Sequence, residues 1–282
     1  FGRDKTEDLC AWFNEQPKLT ARINTILIDI PQCLTMLNEQ GWSVTQDSNY
    51  EDIIYINNHR GSLEKSEAFI KGYITFMDKA SMLVARLVNP QPGERILDCC
   101  AAPGGKSMYM ATLMDNVGSL MSCDIHEHKI ELLNSNADRL GASIVHTKVQ
   151  DATKLPDSWN SYFDRVLVDA PCSGLGILQK KLDMRWRKQE SILRELPPLQ
   201  LAILERAAMT VKEKGYLIYS TCTLNYKENE EVVESFLQKH KEFSIIPVVE
   251  DFPLKSNSGM ITTYPPTDDM DGFFMVKMQR IS

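Results

Sequence analysis

The chain has 282 residues, 43% hydrophobic and 24% charged, and its 31 Lys and Arg against 38 Asp and Glu leave a formal net charge of −7. A chain of this length and apolar content can bury a large core, so disorder is excluded, and the acidic balance argues against bulk nucleic-acid binding. With no run of eighteen apolar residues and no charged-then-apolar leader, the sequence reads as soluble, intracellular and cytoplasmic, with no membrane partner.

From Leu19 to about Gly72, short β-type runs at Ala21–Ile28 and Ile53–Ile56 alternate with helical runs at Pro31–Gln40 and Ser62–Ile70. This texture predicts a small α+β unit, bounded here as residues 1–75. Residues 76–282 then become regular. A helix is expected at Ser81–Val88, followed by the turn residues Pro90, Pro92 and Gly93 and a short strand at Arg95–Asp98. Strands follow at Ser119–Asp124, Ser143–Val149, Phe163–Asp169, Gly215–Ser220 and Phe243–Val248. Helices are expected at Lys106–Met114, His126–Leu140, Ser191–Lys212 and Asn229–His240. Such alternation implies an α/β fold with a mostly parallel sheet covered by helices on both faces. The runs Met260–Thr263 and Phe273–Met278 can add an antiparallel edge.

Behind Asp98 the chain reads Cys99, Cys100, Ala101, Ala102, Pro103, Gly104, Gly105, Lys106. Small residues and two glycines at the carboxyl end of a first strand allow close approach of a ligand, where doubly wound sheets bind nucleotides. Neither a dinucleotide G-x-G-x-x-G nor a phosphate loop is present, and a structural turn would explain the loop alone. Asp124 ends the next strand 124 − 104 = 20 residues after the first glycine, and Asp151 and Asp169 close the two strands that follow. One such Asp reads equally well as a helix cap. Three in succession, with the loop, favour a ribose-bearing cofactor, S-adenosylmethionine or a nicotinamide nucleotide.

Seven cysteines in a chain of this size do not form a disulfide framework, and the absence of C-x-x-C makes thiolate-bound metal a poor expectation. His126 and His128, at i and i+2 on a helix, point to different faces and read as surface residues. Cys10, Cys33, Cys99 and Cys123 read as small buried apolar residues. Cys172, in Asp169-Ala170-Pro171-Cys172-Ser173-Gly174, and Cys222, in Ser220-Thr221-Cys222-Thr223-Leu224, sit in turn-rich loops at strand ends, placed for nucleophilic work.

Asp98 to Lys106, Asp169 to Gly174 with Gly176, Ser220 to Leu224 with Glu228-Asn229-Glu230, and Asp271-Gly272-Phe273-Phe274 together resemble the RNA cytosine-5 methyltransferases, the Nol1/Nop2/Sun family. The match runs in order through residues 20 to 278 and is most similar to the bacterial Sun or RsmB type, which acts on small-subunit (16S) ribosomal RNA. Arg22-Ile23-Asn24-Thr25 and Met77-Asp78-Lys79-Ala80-Ser81-Met82 are similar to the segments that precede those motifs. The resemblance implies a Rossmann-like S-adenosylmethionine-dependent methyltransferase fold for residues 76–282, preceded by the small RNA-binding α+β unit. Proteins of this type usually carry a NusB-like amino-terminal domain as well. Nothing here resembles it, and a start at Phe1 rather than Met reads as a fragment.

The same resemblance implies residue roles. Cys222 adds to cytosine C6, Asp169 holds the N3 and amino edge of the base, and Cys172 helps remove the C5 proton or release the product. Residue chemistry alone does not decide which cysteine attacks. Cys100, Ala101, Ala102, Pro103, Gly104, Gly105 and Lys106 would surround the methionine part of the cofactor, Asp124 the ribose and Asp151 the adenine amino group. Asp169 borders the same pocket, and Lys106 reaches either the cytosine or Asp169. The chain departs from the pattern at Lys129, where Arg is frequent, at Met77, where Gln is common, and at Cys99. A monomer acting on RNA is expected. Rival readings are a cysteine hydrolase based on Cys222 and His240, an NAD-dependent dehydrogenase, a non-catalytic RNA-binding or assembly factor, and methylation of tRNA or DNA.

Lys180, Lys181, Arg185, Trp186, Arg187 and Lys188, opposed by Asp183, put five cations and an indole within nine residues beside the Cys172 loop. A solvated helix face is the plain reading. Beside the motifs, this stretch is expected to bind phosphates and stack a base despite the negative average.

Overall fold

The computed structural model describes residues 1–187, 190–248 and 252–281. Its first part is α1 (Arg3–Trp12), β1 (Thr20–Ile23), α2 (Ile30–Glu39), β2 (Ser43–Gln46), β3 (Ile53–Asn58), α3 (Glu67–Ile70) and β4 (Ile74–Phe76). The strands form an antiparallel sheet in the order β2-β3-β1-β4. Its buried face, with Ala21, Ile23, Ile54 and Ile74, packs on Cys33 and Leu37 of α2 and on Trp42, a core separate from that of the larger part. The sequence-based strand Ala21–Ile28 stops at Ile23, because Asn24 turns the chain: its backbone carbonyl accepts from Leu27 and Ile28.

The larger part comprises α4 (Lys79–Val88), β5 (Arg95–Asp98), α5 (Gly105–Leu113), β6 (Ser119–Asp124), α6 (Glu127–Leu140), β7 (Val145–Val149), β8 (Phe163–Asp169), α7 (Met184–Arg187), α8 (Ile192–Thr210), β9 (Val211–Thr221), α9 (Glu230–Lys239), β10 (Phe243–Ile245), β11 (Met260–Thr262), α10 (Pro265–Asp268) and β12 (Phe274–Arg280). The sheet order is β10-β12-β9-β8-β5-β6-β7, with β11 also on β12. Strands β9, β8, β5, β6 and β7 run parallel, and every pairing made by β12 is antiparallel. This is the expected α/β fold, and the runs Met260–Thr263 and Phe273–Met278 make its antiparallel edge as β11 and β12. Strand β12 lies between β9 and β10, and its Phe274, Val276 and Met278 are buried. The helix expected at Ser191–Lys212 ends at Thr210, where Val211 enters the strand and packs in the core.

Local chemistry explains the regular elements. In α4 the Asp78 side chain caps the first turn by accepting from Ala80 N at 2.8 Å, and seven of its ten residues are buried. Helix α5 opens at Gly104 with φ +103°, and a Cβ there would stand 2.6 Å from a Leu133 methyl. Strand order reverses between β5 and β8, so the loops leaving these strands diverge and leave a crevice at their carboxyl ends.

The two parts are joined through buried polar groups. Asn24 Nδ2 donates at 2.9 Å both to Gly72 O and to Leu140 O at the end of α6. Arg22, fully buried, donates to Thr112 of α5 at 3.1 Å and lies over the Tyr109 ring. Among the described residues no helix is long and apolar enough to cross a membrane.

Candidate active site

A cavity of about 410 Å³ opens at the crevice between β5 and β8. Of the sequence-predicted residues, Cys100, Ala102, Asp124, Asp151, Asp169, Cys172 and Cys222 line it. Ala101, Pro103, Gly104, Gly105 and Lys106 are not among its lining. They shape the loop instead: Ala101 N donates to Cys123 O at 2.7 Å, Gly104 N to Ala101 O at 2.8 Å, and the Ala102–Pro103 peptide bond is cis.

The carboxylates are not equivalent. Asp124, almost buried, accepts from His126 N at 3.0 Å on one oxygen, while the other lies 3.6 Å from Lys129 Nζ. Asp151 spends one oxygen on Thr153 N and Thr153 Oγ1, and these hydrogen bonds hold its carboxyl below the usual range. Between them Ile125, Ala170, Leu199 and Ile203 make an apolar slot. His126, a surface residue by sequence, is exposed yet also lines the cavity, whereas His128 is simply exposed.

At the other end Asp169 is fixed from two sides. Lys106 Nζ donates to Oδ2 at 2.7 Å and Ser220 Oγ donates to Oδ1 at 2.7 Å. Burial alone would lower the Lys106 pKa; the charge and hydrogen bond of Asp169 outweigh it and the net shift is upward, so Lys106 stays a cation. Of its two expected reaches, Lys106 makes the one to Asp169. Ser220 belongs to the Cys222 motif, but sequence alone assigned it no role. It is found through register, since it sits opposite Asp169 across the parallel β8/β9 pair.

The two cysteines meet. Cys172 Sγ and Cys222 Sγ are 3.2 Å apart, and Cys222 N donates to Cys172 Sγ at 3.3 Å. The hydrogen bond from Cys222 lowers the Cys172 pKa although burial opposes it, and the same bond, with burial, holds Cys222 well up. Of the two, Cys172 is therefore the readier to ionise. The remaining cysteines Cys33, Cys99 and Cys123 are buried, as expected. Cys10 is not: it lies on the exposed side of α1.

The cationic stretch needs correction. Lys180 is bound by Asp78 and Asp271, the latter at 3.0 Å, and Arg185 donates to Asn14 Oδ1 at 2.8 Å and to Phe13 O. These two cations brace the ends of α1 and α4, although Lys180 stays exposed. Lys181 and Trp186, the latter 89% exposed, remain on the surface. Lys188 and the Arg187 side chain lie outside the described residues. No group of three or more potential metal ligands occurs among the described residues.

Two family models match the chain: 16S rRNA methyltransferase RsmB/F over residues 85–279, and the RsmF/B-like ferredoxin-like domain over residues 1–61. A Bacillus subtilis (strain 168) protein named "Probable ribosomal RNA small subunit methyltransferase B" is 37% identical over 99% of this chain. A Serratia proteamaculans (strain 568) protein named "Ribosomal RNA small subunit methyltransferase B" is 29% identical over 94%. The chain spans 64% of the first and 60% of the second. Among solved structures, PH0851 superposes with a TM-score of 0.92 at 32% identity, covering 98% of this chain and 62% of that one. NSun6 from Pyrococcus horikoshii, solved with SFG, gives 0.90 at 21% identity over 100% of this chain and 96% of its own, a likeness of fold.

Proposed function

The chain belongs to the 16S rRNA methyltransferase RsmB/F family, and from that membership we propose that it transfers a methyl group from S-adenosylmethionine to C5 of a cytosine in RNA, with small-subunit rRNA as the substrate. The observation that carries this reading is the thiol pair at 3.2 Å, standing beside the Lys106–Asp169 ion pair at adjoining strand ends. The residues fit the cofactor: Asp124 offers a carboxylate oxygen toward the ribose, the apolar slot suits adenine, and Asp151 borders it. Cys100 and Ala102, on the loop held by Ala101, Pro103, Gly104 and Gly105, face the methionine end. Bound there, S-adenosylmethionine supplies a methyl on a positively charged sulfur.

Asp169, clamped by Lys106 and Ser220, is positioned to hold the N3 and amino edge of the cytosine. Cys222 Sγ then bonds to C6 while its proton passes to Cys172, and the C5=C6 pair becomes available at C5 for the methyl. Cys172 must next lose its proton to solvent. As a thiolate it takes the C5 proton; the C5–H pair restores C5=C6, and Cys222 leaves as thiolate. One proton transfer from Cys172 to Cys222 across the same contact resets the site, with one proton released overall. We assign residues 1–75, which hold all of the antiparallel sheet but Phe76, to RNA contact, and residues 76–282 to catalysis.

Cys222→Ala is expected to abolish methyl transfer to small-subunit rRNA while S-adenosylmethionine still binds in calorimetric titration. Undiminished methylation by this variant would overturn the mechanism. Transfer by the unaltered protein to tRNA and not to rRNA would overturn the substrate, and binding without transfer would favour the non-catalytic factor.

A further inference from the structure

Glu228 follows the Cys222 loop, is completely buried, and among the described residues has no cation as a side-chain hydrogen-bond partner. Taking a carboxylate out of water without a counter-charge costs several kcal/mol, so the fold must use its four acceptor sites. All four are filled by donors. Ser173 N donates to Oε2 at 2.8 Å, Ser173 Oγ to Oε1 at 2.6 Å, Asn225 Nδ2 to Oε1 at 3.0 Å and Gln200 Nε2 to Oε2 at 3.1 Å.

These partners bracket both reactive cysteines. Ser173 immediately follows Cys172, and Gln200 also donates to Pro171 O, which precedes it, at 2.9 Å. The hydroxyls of Ser173 and Thr223 are 2.7 Å apart. Since Ser173 gives its proton to Glu228, Thr223 donates to Ser173, tying the residue after Cys222 to the residue after Cys172. On the far side Asn229 accepts from Thr221 Oγ1 at 2.5 Å and donates to Thr223 O at 2.9 Å. The neighbours of each cysteine are thus locked while the sulfurs keep only each other and backbone donors.

Asn225 N donates to Thr223 Oγ1 at 3.3 Å. We propose that Glu228 is a positioning residue, whose buried carboxylate closes a Glu228–Ser173–Thr223–Asn225 ring that sets the Cys172–Cys222 separation at thiol–thiol hydrogen-bond distance. A glutamine in its place has the same shape but presents an NH2 to donors, so half of the ring must open. The effect on turnover rests on the methyltransferase reading above; the effect on the thiol pair does not.

The test is Glu228→Gln, read first without substrate. A trivalent arsenical, which needs two adjacent thiols, is expected to bind at least about tenfold more weakly to the variant, and the thiolate ultraviolet absorbance to titrate at higher pH than in the parent. Single-turnover methylation is expected to fall by about tenfold or more, as displacement of a reacting group by a fraction of an ångström does, with S-adenosylmethionine affinity within about twofold of the parent because the adenosine slot is untouched. Unchanged arsenical affinity and thiolate titration would overturn the proposal even if turnover fell. If Glu228→Gln does not fold, Ser173→Ala opens the same ring at a smaller group and must show the same two thiol effects; their absence there overturns the proposal. Should Cys222→Ala remain active while Glu228→Gln separates the thiols, the reaction mechanism fails and the positioning role stands.

Discussion

At the scale of single residues, the two motif cysteines are alike in sequence, each in a turn-rich loop at a strand end, and residue chemistry leaves open which attacks. Their environments break the tie in an unexpected direction. Cys172, whose sulfur accepts the Cys222 N–H, is made easier to ionise by the contact with Cys222, whereas the same contact makes Cys222, assigned to attack, harder to ionise. That order is sensible if Cys172 takes the proton as Cys222 bonds to carbon. A lowered pKa means that Cys172 ionises earlier as pH rises than a free thiol of pKa about 8.5. Limiting iodoacetamide on the ligand-free protein is therefore expected to label Cys172 before Cys222, with a rate that levels off below the free-thiol range. Peptide mass mapping across a pH series checks this, and first labelling at Cys222 would refute the asymmetry. The chemistry-bearing residues were legible because their types are rare in such loops. The roles of Ser220 and Glu228, which the motifs include, were not, because each acts on a residue about fifty positions away, through a register or a ring that only the folded chain brings together.

At the scale of elements, β5, β6 and β8 have the bounds that the sequence implies, since each is a short apolar run stopped by an Asp and a turn. What escaped were elements with little burial or length: β2, whose four residues are mostly exposed and show no alternation, and the three-residue β4. Insertion of β12 beside β9 was also beyond the pattern, because strand order is set by packing between segments and not by periodicity within one. Its consequence is local to the site. The turn before β12 crosses the Cys172 loop backbone to backbone, with Gly272 N donating to Gly176 O at 2.9 Å and Gly176 N donating to Cys222 O at 3.0 Å. A Cβ on Gly176 would stand 1.8 Å from Gly272 O and 2.6 Å from its carbonyl carbon, neither of which is the free end of a side chain. Gly176→Ala is accordingly expected to lower stability in urea by about 1–3 kcal/mol, the usual cost of overpacking, and to slow methyl transfer by moving the Cys222 carbonyl. A variant with parental stability and activity would show that the two loops can part freely.

At the scale of the whole molecule, the net charge of −7 and the proposed RNA substrate have to coexist, and the ion pairing explains how. Four cations are spent on partners far along the chain. Lys106 is on Asp169, Lys180 on Asp78 and Asp271, Lys79 on Asp47, and Arg185 on α1 and the turn behind it. Each pair joins segments far apart in the chain, so these charges hold the large part to its own loops and to the amino-terminal unit before they are available to a phosphate. Opening any of the three lysine pairs would leave a partly buried carboxylate uncompensated. RNA binding by this chain should then draw on few phosphates and more on shape, stacking at the exposed Trp186 and the base pocket. Each phosphate neutralised on a single strand contributes a slope of about −0.7 to log K against log salt. With roughly two to four phosphates engaged, the slope expected for these 282 residues is about −1.4 to −2.8. Fluorescence anisotropy of a labelled rRNA hairpin, titrated at several salt concentrations, measures it directly. A slope steeper than about −5 would mean that the internal pairs release their lysines on binding, and the net charge would then say little about how this protein holds RNA. A shallow slope, together with a marked loss of affinity in Trp186→Ala, would place recognition in stacking and shape.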